Sequence, residues 1–263
     1  MSRSGYYSHL VHTNSKKSTL ENEVINCFSK SGRRYGRIRI HKALLARSIY
    51  ASEYVIAKVF KKYGLIAKGG RKRKYRLPKP TEHQYIEENL IKDKFSVTKP
   101  NYLWCTDITE IKYKNGKLYC CAIIDLATRR IVGWCIARKQ MQDIVQKAFM
   151  MAVGRNPERP EKAICHSDRG CQYTAKKTKE LVEKHGFRKS MSRPGTPSDN
   201  QVIESFWHTL KTEMTDIRHL SFKEASRKIV DYIELFYNSE RLHSSLNYLT
   251  PNEYFTLLTV QKT

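Results

Sequence analysis

Acidic side chains are scarce in this chain: 25 Asp and Glu stand against 49 Lys and Arg over 263 residues, a formal charge of +24. Such a deficit points to a polyanionic partner rather than a generic solubility surface. Long apolar runs are also missing. No stretch of about 18 residues suits a membrane span, and no charged-then-apolar leader is visible, so neither insertion nor secretion is expected. The seven cysteines include no CxxC pair and no Cys/His spacing of a zinc finger. Their odd number and their apolar surroundings fit free, buried thiols in a reducing, cytoplasmic setting. No internal repeat and no heptad run is found. What remains is ordinary for a folded protein: 40% hydrophobic and 11% aromatic residues are enough for packed cores.

The charge is uneven. Residues 1–100 hold 23 basic and 7 acidic side chains, and 101–263 hold 26 and 18. The first segment, 1–67, reads as a small all-α module. Ser18 with Glu21 has the spacing of a capping box, and Leu20, Val24, Ile25 and Phe28 share one helical face before Gly32. Ile40, Leu44 and Leu45 mark a second helix, and Val55, Ile56, Val59 and Phe60 a third, with Ser52 as N-cap and Gly64 as stop. A tight turn at 48–52 makes this a helix-turn-helix pattern. Arg33, Arg34, Arg37, Arg39, Lys58, Lys61 and Lys62 fall off the apolar stripes, where they can meet phosphates. A packing or dimerisation module is the competing reading. Residues 68–98 read as a linker. Its first part, 68–79, has seven basic residues, Arg71, Lys72, Arg73, Lys74 and Arg76 among them, and no acidic one. Like-charge repulsion, two glycines and a proline favour an extended strap along a DNA backbone, and a solvated hinge is compatible with it. A short helix is expected over 82–94.

From 99 to 218 the pattern changes. Runs 102–112, 117–126 and 130–137 are rich in Ile, Val, Tyr, Trp and Cys, with turns at Asn115–Gly116 and 128–130, and predict three consecutive antiparallel strands. The second is apolar on both faces and should lie centrally. A helix faced by Ile144, Val145, Ala148, Phe149 and Ala152 follows, then a strand (162–167), a helix (174–185), a strand (187–192) and a helix carrying Glu204. The order predicts an α/β fold, a mixed five-stranded sheet with flanking helices. In the tail, 219–263, Ser221 and Glu224 form a capping box for a long helix striped by Ala225, Ile229, Tyr232, Ile233, Phe236 and Tyr237.

Three carboxylates stand out against this frame. Asp107 interrupts a strand that otherwise reads as buried, where an unpaired charge is costly. Asp168 ends a strand, a usual place for ligands in α/β sheets. Glu204, after an interval of 35 residues, sits on a helix between apolar neighbours. Taken singly, each is an ordinary turn or cap residue. Together they offer a hard, oxygen-only site for Mg²⁺ or Mn²⁺, and two such ions about 3.5–4 Å apart serve phosphodiester chemistry. Asn200, His208 and Lys211 share the face of Glu204, and Lys211 is placed to reach a phosphate.

The strings Trp-Cys-Thr-Asp-Ile-Thr-Glu-Ile (104–111), His-Ser-Asp-Arg-Gly-Cys-Gln-Tyr (166–173) and Asp-Asn-Gln-Val-Ile-Glu-Ser-Phe-Trp-His-Thr-Leu-Lys-Thr-Glu (199–213) resemble the three signature segments of bacterial insertion-sequence DDE transposases. More narrowly they resemble the second-reading-frame product of two-frame elements, within the retroviral-integrase-core superfamily. Residues 33–41 resemble its helix-turn-helix segment, and 237–246 with 250–254 its C-terminal signature, so the likeness covers nearly the whole chain. Cys171, where the family often has Ser, and the Thr-Pro-Ser-Asp-Asn run before the Glu204 helix depart mildly from it.

The resemblance implies an RNase H-like integrase core and metal-dependent DNA cleavage and strand transfer at element ends. It implies catalytic and metal-ligand roles for Asp107, Asp168 and Glu204, two Mg²⁺ or Mn²⁺ ions, and a DNA contact by Lys211. Implied partners are element-end and target duplexes, further copies of the chain on DNA, and a first-reading-frame product, either separate or fused upstream. A nucleoid-associated location goes with these. Three other classes stay open on sequence. A tyrosine recombinase is suggested by 16 Tyr and by Arg241 and His243 near Tyr248 and Tyr254. The strand-rich pattern and the carboxylate spacing argue against it, and Arg241 and His243 read as scaffold or DNA contacts. The others are a DNA-binding regulator with an inactive core and an RNase H-type nuclease.

Overall fold

Residues 19–68, 87–91, 97–193 and 200–260 are described by the computed structural model, in which the chain divides into two units, 1–73 and 74–263. In the first, helices α1 (19–30), α2 (Arg37–Leu45) and α3 (Glu53–Lys62) bury Val24, Phe28, Ile40, Leu44, Ile56 and Val59. Phe28 and Phe60 meet edge to face, ring centroids 5.3 Å apart. Ser52 caps α3 by accepting the Val55 N–H, and Gly64 closes it at φ +59°, a left-handed turn that glycine adopts without strain. Leu45, expected in the apolar stripe, is exposed instead. Leu44, its neighbour, takes the buried place, and successive helical residues point about 100° apart. Ser18 and the strap residues Arg71, Lys72, Arg73, Lys74 and Arg76 lie outside the described residues.

The second unit is built on a hairpin. Strands β1 (Leu103–Tyr113) and β2 (Gly116–Asp125) pair antiparallel, and Gly116, at φ +128°, sits where the chain turns. β3 (Ile131–Ala137) adds antiparallel to β2. β4 (Ile164–Ser167) and β5 (Arg188–Met191) then run parallel to β1, giving the order β3-β2-β1-β4-β5. This mixed five-stranded sheet is the predicted one, with β2 interior but β1 in the middle. α4 (Gln142–Arg155) lies against β3 and β2. Gly133 permits that approach, since a Cβ there would stand 2.3 Å from the Ala148 carbonyl. Trp104, Phe149 and Phe187 centre the core on this side, the Trp104 and Phe187 rings 4.6 Å apart.

Two helical expectations change. Residues 87–91 are not helical, although Leu90 and Ile91 are apolar. They run beside β5: the Leu90 N–H donates to Ser190 Oγ and the Met191 N–H to the Glu88 carbonyl. Covering a sheet edge in this way satisfies backbone groups that a helix would satisfy internally. The rest of 82–94 lies largely outside the described residues. The helix expected over 174–185 splits into α5 (Cys171–Thr174) and α6 (Lys176–Lys184), because Ala175 is extended.

α7 (Gln201–Glu213) carries Glu204, and α8 (Phe222–Asp231) opens on the predicted Ser221–Glu224 capping box. The helix then widens into a π-helical segment, Tyr232–Tyr237, whose Ile233 carbonyl accepts the Asn238 N–H five residues on. The wide turn buries Tyr232, Ile233, Phe236 and Tyr237 together. It also delivers the Asn238 amide to β3, where it exchanges two hydrogen bonds with the Ile131 backbone, at 2.9 and 3.0 Å. A 3₁₀ turn (Ser244–Leu246) and α9 (Pro251–Val260) complete the described chain.

Candidate active site

Pairing register brings the first two carboxylates side by side. Thr106 of β1 lies opposite Ser167 of β4, so Asp107 and Asp168 are the next residues on neighbouring parallel segments. Adjacent strands stand about 5 Å apart. Asp168 begins the loop at the carboxyl end of β4, where its Oδ1 accepts the Gly170 N–H at 2.9 Å. Gly170 suits that turn closely, since a Cβ there would lie 3.1 Å from the same oxygen.

Alternation along β1 puts Trp104 and Thr106 toward α4 and Asp107 on the opposite face. α7 lies on β1 and is fixed there at two points. Asn200, just before the helix, donates from Nδ2 to the Thr106 carbonyl at 3.5 Å, and Trp207 donates from Nε1 to Asp107 Oδ2 at 3.0 Å. Glu204 lies four residues after the first anchor and three before the second, so helical geometry directs it to the same side.

The electrostatics show three carboxylates sharing one neighbourhood. Burial pushes the Asp107 carboxyl up to about 7, and the charge of Asp168 adds to this. N–H groups of Ile108 and Trp207 pull it down, and Glu204 contributes a smaller upward push. Glu204 is raised as well, by burial and then by Asp168. Beyond β1, the buried Tyr173 hydroxyl, 3.3 Å from Thr106 Oγ1, is raised by burial, by Cys121 and by both aspartates.

Asp125 gives the contrast. This fully buried carboxylate accepts from Asn101 N, Thr128 N and Thr128 Oγ1 at 2.6–3.1 Å and so serves the β2–β3 turn.

The donor chemistry fits a hard divalent cation: oxygen ligands whose like charges raise one another's proton affinity until a cation compensates them. Asn200 adds a buried Oδ1 with no hydrogen-bond partner at the same end of α7. A closed cage is not assembled, however. Among the described residues, no three His, Cys, Asp or Glu side chains are grouped so as to hold a metal ion. Asp107 and Asp168 are adjacent by register, and Glu204 is within their field without completing the set.

Lys211, two turns beyond Glu204, feels Asp107 and Glu110, and desolvation outweighs them to lower its proton affinity. His208 is exposed. In the first unit Arg33, Arg37, Lys58, Lys61 and Lys62 are exposed and Arg34 and Arg39 half-buried. Lys62 is already engaged, its Nζ 2.6 Å from Glu21. Arg241 is buried and bound through Nε and Nη2 to both oxygens of Glu213, at 2.9 and 2.8 Å. It is therefore a scaffold residue with no free face for a phosphate, which removes the main support for a tyrosine recombinase. His243 Nδ1 meets Ser245 Oγ at 2.9 Å.

Sequence reasoning missed Trp207 as the residue that holds Asp107. One signal was available: a buried indole needs an acceptor for its N–H, and Trp207 sits one turn after Glu204.

Comparison with known proteins bears on the whole arrangement. The Integrase core domain family matches residues 97–197, and a second family of the same description matches 185–251. The transposase for insertion sequence element IS904 of Lactococcus lactis is 35% identical over 93% of this chain and 98% of that protein. The uncharacterized 31 kDa protein of insertion element IS600 of Shigella sonnei is 34% identical over 95% and 93%. Transposase InsF for insertion sequence IS3A of Escherichia coli is 34% identical over 88% and 80%. Among solved structures, a simian T-cell lymphotropic virus intasome chain shows 14% identity over 81% of this chain and 69% of its own, TM-score 0.48. The HTLV-2 integrase catalytic core domain in complex with magnesium shows 17% over 59% and 94%, TM-score 0.41.

Proposed function

Because this chain belongs to the insertion-sequence transposases with an integrase core domain, we propose that Asp107, Asp168 and Glu204 are the carboxylates with which it cuts and joins DNA at the ends of its element. It is a polynucleotidyl transferase acting in DNA transposition. The observation that carries the site assignment is the register of β1 on β4, which sets two carboxylates side by side, with α7 pinned over them by Asn200 and Trp207. A divalent pair held there supplies charge neutralisation for an attacking hydroxyl and for the leaving 3′-oxygen.

The chain's own residues set up the reaction. Asp107 would hold the cation as a carboxylate, its buried proton displaced, and the Trp207 N–H keeps one of its oxygens oriented. Glu204 would complete the set once α7 is drawn toward the two aspartates. Lys211, on the same face, takes a phosphate of the end being processed. A hydroxyl oxygen bonds to phosphorus as the P–O3′ bond breaks; the attacking hydroxyl's proton passes to solvent, and the departing 3′-oxygen takes one up from solvent. The basic first hundred residues grip the duplex, so the core mainly contacts backbone. Oligomers on DNA and a first-reading-frame product, as partner or fused half, complete the proposal. No helix among the described residues is long and apolar enough to cross a membrane.

The test uses purified full chain, Mg²⁺ and labelled duplexes bearing the element ends. Nicked and joined products are expected, and Glu204→Gln is expected to abolish both. Full activity in Glu204→Gln would refute the assignment.

A further inference from the structure

The first unit carries a surface that neither its core nor the catalytic chemistry uses. Over residues 19–68 there are 11 Lys and Arg against three acids, Glu21, Glu23 and Glu53. Two of these acids are consumed in ion pairs that tie α1 to its neighbours: Glu21 with Lys62 at 2.6 Å and Glu23 with Arg47 at 3.0 Å. Only Glu53 stands at the start of α3, exposed, on an otherwise basic face. Its charge suits the helix dipole there, but a carboxylate facing DNA is repelled by phosphates unless it meets a donor. Two tyrosines flank it. Tyr50, in the turn, is 77% exposed and Tyr54, in the first turn of α3, 68%. Lys58 lies one turn on, its ammonium 4.5 Å from the centre of the Tyr54 ring. The opposite side of α3 is spent on packing, with Ile56 and Val59 buried.

Exposed aromatic rings in the turn before α3 and in its first turn, cations further along and one isolated acid form a reading edge rather than a packing face. Resting on the DNA-transposition reading and going beyond it, we infer that the leading end of α3 enters the major groove of the element-end duplex. Tyr50 and Tyr54 contact base edges and thymine methyls, and Glu53 accepts from a cytosine amino group. Lys58 and Lys61 bind the flanking phosphates. Specificity for the ends therefore resides in α3, and the Arg residues of α2 supply affinity.

The experiment measures binding of the full chain to end duplex and to scrambled duplex across a salt series, without divalent metal. The substitutions are at exposed positions, and circular dichroism checks the fold. Tyr54→Ala should lower the end-over-scrambled preference by about tenfold with little change in salt slope, since a base contact sets discrimination. Glu53→Gln should relax preference at one base pair. Lys61→Ala should weaken both duplexes alike and reduce the slope by about one. An undiminished preference in both Tyr54→Ala and Glu53→Gln would overturn the inference, as would an unaltered chain with no preference. Because binding is read without catalysis, a chain that prefers its ends but never joins them with Mg²⁺ would support this surface and count against the proposed chemistry.

Discussion

Replacing Arg241 with Met should cost the second unit more stability than most single substitutions. Glu213 and Arg241 are both buried, joined by two charge-assisted hydrogen bonds of 2.9 and 2.8 Å, with the Tyr232 hydroxyl donating to the same carboxylate at 3.0 Å. Methionine fills similar space but leaves the carboxylate with the tyrosine as its one remaining partner among these three. Breaking such a pair costs about 3–5 kcal/mol. At about 2–4 °C per kcal/mol for a unit of this size, Tm should fall by roughly 6–20 °C. The damage should reach the active site, because Glu213 ends the helix that carries Glu204. Thermal unfolding by near-ultraviolet circular dichroism measures the first effect, and strand joining well below Tm the second. Glu213→Gln combined with Arg241→Met removes both charges and should recover most of the lost stability. A single variant within about 1 kcal/mol of the parent, or a double variant as unstable as the single, would show that the pair does not anchor α7.

Asp107 makes stability depend on pH. The folded protein holds its proton up to about 7, and the ordinary value is 3.8. The unfolded chain binds fewer protons between those limits, so metal-free stability falls as pH rises through that window. Asp107→Asn should therefore raise Tm at pH 8 and leave it nearly unchanged at pH 4 when metal is absent, and equal shifts at both would contradict the burial argument. Trp207→Phe keeps a ring beside Phe206 and removes the bond to Asp107. The expected result is about a tenfold higher divalent-metal requirement at pH 7 with joining at saturating metal reduced less than about threefold; an unchanged metal requirement would mean the bond is idle. Gly133→Ala forces a methyl against the Ala148 carbonyl and Ala152. It should lower stability by about 1–3 kcal/mol or more in denaturant unfolding, and a neutral result would place α4 farther from β3.

Much of the second unit was legible because its local signals agree. The Asn115–Gly116 turn, the β-branched runs and the apolar face of α4 each specify one element, and their order leaves few sheets to choose from. Asp107 was readable as a strand residue and Asp168 as the residue where a strand gives way to a loop, and only pairing places them together. The misses share another cause. Residues 87–91 have helical composition but find their hydrogen bonds on β5, a hundred residues away. The grip of Trp207 on Asp107 and of Arg241 on Glu213 likewise spans long separations, so no window of sequence contains both partners. The widening at Tyr232 preserves the predicted apolar stripe while changing its hydrogen bonding, a difference that periodicity does not encode.

The most direct test of the central claim is anomalous scattering from Mn²⁺ in crystals of the protein bound to its end duplex. Manganese should lie about 2.0–2.3 Å from a carboxylate oxygen of each of Asp107, Asp168 and Glu204, with α7 brought in to complete the set. Manganese bound to the two aspartates while Glu204 stays remote in a complex that still joins DNA would contradict it.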